Sequence, residues 1–138
     1  MDAPYFLTGS VRVRECPEIA PILVRILAHR DIDFNISVTE LEGGEVELTI
    51  DGARELDDDR MIRLEDQLQA LGPYASEAAI FRRHYGPDAC DLIVAPSREA
   101  GRAALSRVVL EDIRLSLGAL VPEDRAQLAE GLRAPTVP

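Results

Sequence analysis

Lysine is absent from this 138-residue chain, and all 15 of its basic residues are arginine. That removes side-chain Schiff-base and amine-nucleophile chemistry. Tryptophan is absent as well, and the aromatic set is three phenylalanines and three tyrosines. A stacking platform for single-stranded nucleic acid is therefore poorly supplied. Cysteine occurs only as Cys16 and Cys90, too few for a disulfide framework. A reducing cytoplasm is the expected compartment. No apolar run approaches the length of about 18 residues that a spanning helix needs. The opening MDAPYFLTGS lacks the basic-then-apolar order of a secretory signal.

Positive charge is also short, since 25 acids against 15 arginines leave a net charge of −10. That sign disfavours nucleic acid and anionic membranes as direct partners. The distribution says more than the total. Between Asp31 and Asp66 stand 13 acids and three arginines (Arg54, Arg60, Arg63), while the rest of the chain balances to zero. All of the net charge comes from one block.

The chain is 46% hydrophobic, enough for a packed core. Residues 1–134 are expected to form one α+β domain, with 135–138 as a tail. Residues 5–14 alternate, with Leu7, Val11 and Val13 on one face, and predict a strand. Pro17 and Pro21 open a helix in which Ile19, Ile22, Leu23, Ile26 and Leu27 keep helical spacing to about Arg30. A hairpin follows. Phe34, Ile36, Val38, Val46, Leu48 and Ile50 share a face only if the loop has an odd count, Glu42-Gly43-Gly44, setting Val38 opposite Leu48. Asn35, Ser37, Thr39, Glu45, Glu47, Thr49 and Asp51 then occupy the wet face.

Asp57, Asp58 and Asp59 lead into a helix with Met61, Leu64, Leu68 and Leu71 as its buried stripe, ended by Gly72-Pro73. A second hairpin, SEAAIFRRHY and ACDLIVAP, is expected to turn through Gly86-Pro87-Asp88. It is apolar in both phases, with Ile80 and Val94 on one side and Phe81 and Ile93 on the other, which implies cover on both faces. The cover expected is a long helix capped by Ser97 and running to about Leu117, with Leu105, Val109 and Ile113 in its stripe. A last short helix starts at Pro122. The order fits a ferredoxin-like (βαββαβ) antiparallel sheet with an added C-terminal strand and two helices.

Few residues carry a chemical signature. HRDIDFN (29–35) is similar to the kinase catalytic loop H-R-D-x-x-x-x-N, but Asn35 comes one residue early, and no phosphate loop, paired lysine or D-F-G accompanies it. A helix end explains His29 and Arg30. The aspartate run diverges around a turn and lacks the alternating order of a calcium loop, so capping explains it better than a metal. A three-residue turn would set His84 opposite Cys90, the one arrangement able to activate a thiolate, and Arg83 opposite Asp91. Arg82-Arg83-His84-Tyr85 is the most basic local cluster. Arg98, Arg102, Arg107 and Arg114 on the long helix read as a solvated face.

No catalytic set, metal or cofactor is therefore expected. The reading favoured is a non-enzymatic acidic module presenting Glu45, Glu47, Asp51, Asp57, Asp58 and Asp59 as one negative surface to a protein with a basic surface. By analogy of charge and size alone, inhibitors of nucleic-acid-handling proteins behave this way, such as toxin-immunity proteins and anti-CRISPR-like anti-defence proteins of phages or plasmids. The alternatives are a homodimeric ligand-binding regulatory domain, or a small enzyme using His84 and Cys90.

Overall fold

The structure, a computed structural model, describes residues 2–119. The chain falls into two compact units, Met1–Ala104 and Leu105–Pro138. The short helix expected from Pro122 and the tail at 135–138 lie outside the described residues.

Alternation in β1 (Ala3–Arg14) sends Tyr5, Leu7, Val11 and Val13 into the core. Position 9 lies on the same face and carries no side chain. A Cβ at Gly9 would come within 2.7 Å of the Phe81 ring, so the bare backbone makes room for that ring. Helix α1 (Ile19–Leu27) buries Ile19 and Ile26, with Ile22, Leu23 and Leu27 at the edge of the core.

Strands β2 (Phe34–Leu41) and β3 (Glu45–Leu56) form the first hairpin in the expected register, Val38 opposite Leu48 and Ile36 opposite Ile50. Its loop is Glu42-Gly43-Gly44, and both glycines have positive φ, +83° and +75°. Two successive left-handed residues would strain any side chain. Helix α2 (Asp58–Ala70) places Met61, Leu64 and Leu68 in the core, and Leu71 joins them from its C-cap.

The second hairpin departs from expectation by one residue. Strand β4 (Ala79–Tyr85) pairs Tyr85 with Asp88 and His84 with Ala89 in β5 (Asp88–Ala89), and Phe81 with Leu92 in β6 (Leu92–Val94). The turn is therefore the two residues Gly86-Pro87, not three. Gly86 has φ +56°, the sign that a two-residue II′ turn requires at its first central position. The added strand is broken between Ala89 and Leu92. The apolar phases of the hairpin are also unequal: Ala79 and Phe81 on β4 and Val94 on β6 are buried, whereas Ile80 and Ile93 are half-buried.

These strands make one six-stranded antiparallel sheet in the order β2-β3-β1-β4-β5, with β6 also on β4. With three helices among the described residues the chain is α+β. The third, α3 (Arg98–Ala119), starts where the Ser97 hydroxyl accepts from the Ala100 amide at 3.1 Å. Gly101 lies close against Ile93 and Ala95. Of the stripe expected on α3, Leu105 and Val109 are exposed and Ile113 is half-buried.

Candidate functional site

The odd-numbered residues of β3 turn away from α1 and α2. Of the four acids there, Glu45, Glu47 and Asp51 each have one neighbour holding them, while Glu55 has no side-chain hydrogen bond or ion pair among the described residues. Glu47 Oε2 accepts from Arg12 Nε at 3.2 Å across the β1 pairing. Asp51 Oδ1 accepts from the Thr8 hydroxyl at 3.2 Å, and Glu45 Oε2 accepts from the Ser76 hydroxyl. In each carboxylate the second oxygen has no hydrogen-bond partner among the described residues. Arg14 stands opposite Glu45, so the row is acidic but not purely so.

Asp57, Asp58 and Asp59 sit elsewhere. The Asp57 side chain accepts from the Arg60 amide at 2.8 Å and caps α2. Asp58 accepts from the Tyr85 hydroxyl at 2.5 Å, on the side of the sheet that the helices cover. That hydrogen bond, with desolvation and the charges of Asp58 and Asp57, pushes the Tyr85 phenol up to about 12. Of the six acids, Glu45, Glu47 and Asp51 thus lie on the outward face of β3, and Asp57 and Asp58 are engaged at the start of α2. A one-dimensional charge count cannot see which side of the sheet each strand or helix end faces.

The expected His84–Cys90 juxtaposition does not form. His84 faces Ala89 and packs edge-on against Phe6, ring centroids 6.5 Å apart. The Cys90 amide donates to the Arg83 carbonyl at 3.0 Å, which sets Cys90 across from Arg83. Arg83 is not paired with Asp91 either. Its Nε donates to Glu65 Oε2 at 2.7 Å, and the same oxygen accepts from the Tyr5 hydroxyl at 3.1 Å. Burial, reinforced by the Glu65 charge and hydrogen bond, holds the Tyr5 phenol far above its ordinary value despite Arg83. Burial works against the charge on Arg83, and Glu65 outweighs it, raising its pKa. The basic tetrapeptide is thereby split, with Arg83 and Tyr85 engaged on the helix side while Arg82 and His84 are exposed.

The kinase-like segment resolves into a turn. Asp31 Oδ1 accepts from the Asp33 and Phe34 amides, both at 2.9 Å, and Oδ2 pairs with Arg54 Nη1 at 2.7 Å. Both oxygens are occupied by the fold. Among the described residues no group of three or more His, Cys, Asp or Glu side chains converges in a way that could hold a metal. Nor is any helix there long and apolar enough to cross a membrane.

One site was not foreseen. A cavity of about 460 Å³ opens between α1, α2 and the end of β3, lined by Arg25, Ala28, His29, Arg54, Leu56, Arg60, Arg63 and Gln67. Its walls follow from three periodicities. Arg25, Ala28 and His29 share one side of α1 and its following turn, Arg54 and Leu56 alternate on β3, and Arg60, Arg63 and Gln67 recur along α2. Arg54 is anchored by Asp31 and by the His29 carbonyl, which accepts from Nη1 at 3.3 Å. The His29 ring Nε2 lies 2.9 Å from Gln67 Oε1. Each spacing is visible in the sequence, but the packing of α1 on α2 that brings them together is not.

Comparison of the chain with protein-family models, curated proteins and solved structures finds no match in any of the three.

Proposed function

We propose that this protein is a non-enzymatic binding module that offers the acidic row of β3 to a basic surface on another protein, in the cytoplasm. The antiparallel order β2-β3-β1-β4, with α1 and α2 as its crossovers, supports assigning the ferredoxin-like βαββαβ arrangement to its sheet.

The observation that carries the reading is how Glu45, Glu47 and Asp51 are held. Cross-strand neighbours Arg12 and Thr8 orient Glu47 and Asp51, and Ser76 from the bend before β4 orients Glu45, each through one oxygen, leaving the other to accept. Acids fixed in this way lose little side-chain entropy when an arginine-rich partner docks. Residues two apart on a strand stand roughly 6–7 Å apart, a spacing that guanidinium groups of a phosphate-binding surface can match. Proteins that handle nucleic acid carry such surfaces, and blocking one is what an immunity or anti-defence protein would do. The test is capture on the immobilised protein with identification of what is held. A basic partner lost with the combined E45Q, E47Q and D51N changes supports the reading, and a partner retained by that variant overturns it.

One observation favours a second reading, a small-ligand-binding domain: the arginine-walled cavity between α1 and α2.

A further inference from the structure

We propose that this cavity binds a small, multiply charged oxyanion: a phosphate or diphosphate group carried by a small molecule. The assignment rests on the ligand-binding reading and gives it a ligand class.

Charge accounting is the first argument. The protein has 25 acids and 15 arginines, yet the cavity lining includes four arginines and no carboxylate. All three arginines of the acidic 31–66 block, Arg54, Arg60 and Arg63, are gathered there, with Arg25 facing them from α1. Among the described residues no carboxylate lies within 4.0 Å of Arg25, Arg60 or Arg63. Three guanidinium groups brought together without counter-charge repel one another, and a bound anion would relieve that repulsion.

The donors are also arranged for a ligand. Arg54 uses Nη1 for both Asp31 and the His29 carbonyl, so its plane is fixed while Nε and Nη2 remain to donate. Gln67 holds His29 through its carbonyl oxygen, which leaves the Gln67 amide nitrogen as a further donor. A carboxylate's two oxygens cannot use the donors of four guanidinium groups, whereas the oxygens of a phosphate or diphosphate can. A volume of about 460 Å³ exceeds what a phosphate alone fills and falls within the range of small-ligand sites. Ala28 and Leu56 give the remainder an apolar wall. Nucleic acid is disfavoured, because the −10 charge would oppose a polyanion spread over the surface, while a concave site admits one charged end.

The experiment is titration calorimetry of the intact chain at low ionic strength with pyrophosphate, inorganic phosphate and succinate. It is run on wild type, on the double variant R60A/R63A, and on R82A as a control from the opposite face. Arg60 and Arg63 are exposed, so both substitutions leave the core untouched. Pyrophosphate should bind most tightly and succinate least. The double variant should weaken pyrophosphate binding at least tenfold, and R82A should leave it unchanged. If succinate binds in an Arg60- and Arg63-dependent way while the phosphates do not, the phosphate class is overturned and the ligand-binding reading stands. If none of the three binds, or if R60A/R63A binds as wild type does, the cavity is not an anion site and both fall.

Discussion

At the scale of single residues, local chemistry was legible and tertiary chemistry was not. Asp57 announces itself as a cap because its partner, the Arg60 amide, is three residues away. Asp57→Ala should cost about 1 kcal/mol, read from the urea midpoint. Asp31 has the look of a catalytic aspartate, and its real partner, Arg54, lies across the fold. Gly9 reads as a mere interruption in a strand until Phe81 is placed beside it. Gly9→Ala should destabilise by about 1–3 kcal/mol through overpacking, again measured by denaturation. The tyrosines give a pH prediction. An unperturbed phenol ionises at 10.0, whereas folded Tyr85 keeps its proton to about 12 and Tyr5 keeps its own beyond that. Above pH 10 the unfolded chain releases protons that the folded chain retains, so stability is full below that pH and falls as pH rises. The urea midpoint should drop between pH 8 and pH 11, and Tyr5→Phe should flatten that drop.

Among the elements, the first hairpin shows how strongly a one-faced apolar pattern fixes register. Phe34, Ile36 and Val38 can meet Val46, Leu48 and Ile50 on the core side only with an odd loop, and that loop forms. The second hairpin has apolar residues in both phases, so its pattern tolerated a slip, and the Gly86-Pro87 turn decided it. The slip matters, because it parts His84 from Cys90 and Arg83 from Asp91, while Arg83, opposite Leu7 on β1, faces α2. Glu65 then ties three elements together through Tyr5 on β1, Arg83 on β4 and its own helix. Removing it leaves a largely enclosed guanidinium without its partner. Glu65→Ala should cost about 2–3 kcal/mol, more than Glu65→Gln, which keeps an acceptor. A double-mutant cycle with Arg83→Ala should show coupling, because the two side chains act on each other.

For the molecule as a whole, the −10 charge was plain in composition, but its geography was not. Beyond the Asp31 turn and the Glu65 contacts, the acidic block from Asp31 to Asp66 folds into separate environments. One is the row on β3, one is the α2 cap region, and one is a cavity into which all three arginines of the block turn. Helix packing, strand facing and hairpin register each contribute one of those separations, and none can be counted along the chain. The acidic-surface proposal rests on a short, pre-oriented row across β3 and its neighbours. The measurement that tests it most directly is the dissociation constant of the purified, captured partner at 50 and 300 mM salt, for wild type and for the E45Q/E47Q/D51N variant. The account predicts that wild-type binding weakens at least tenfold over that range, and that the variant binds weakly with little salt dependence. Equal, salt-insensitive binding by both proteins would contradict it.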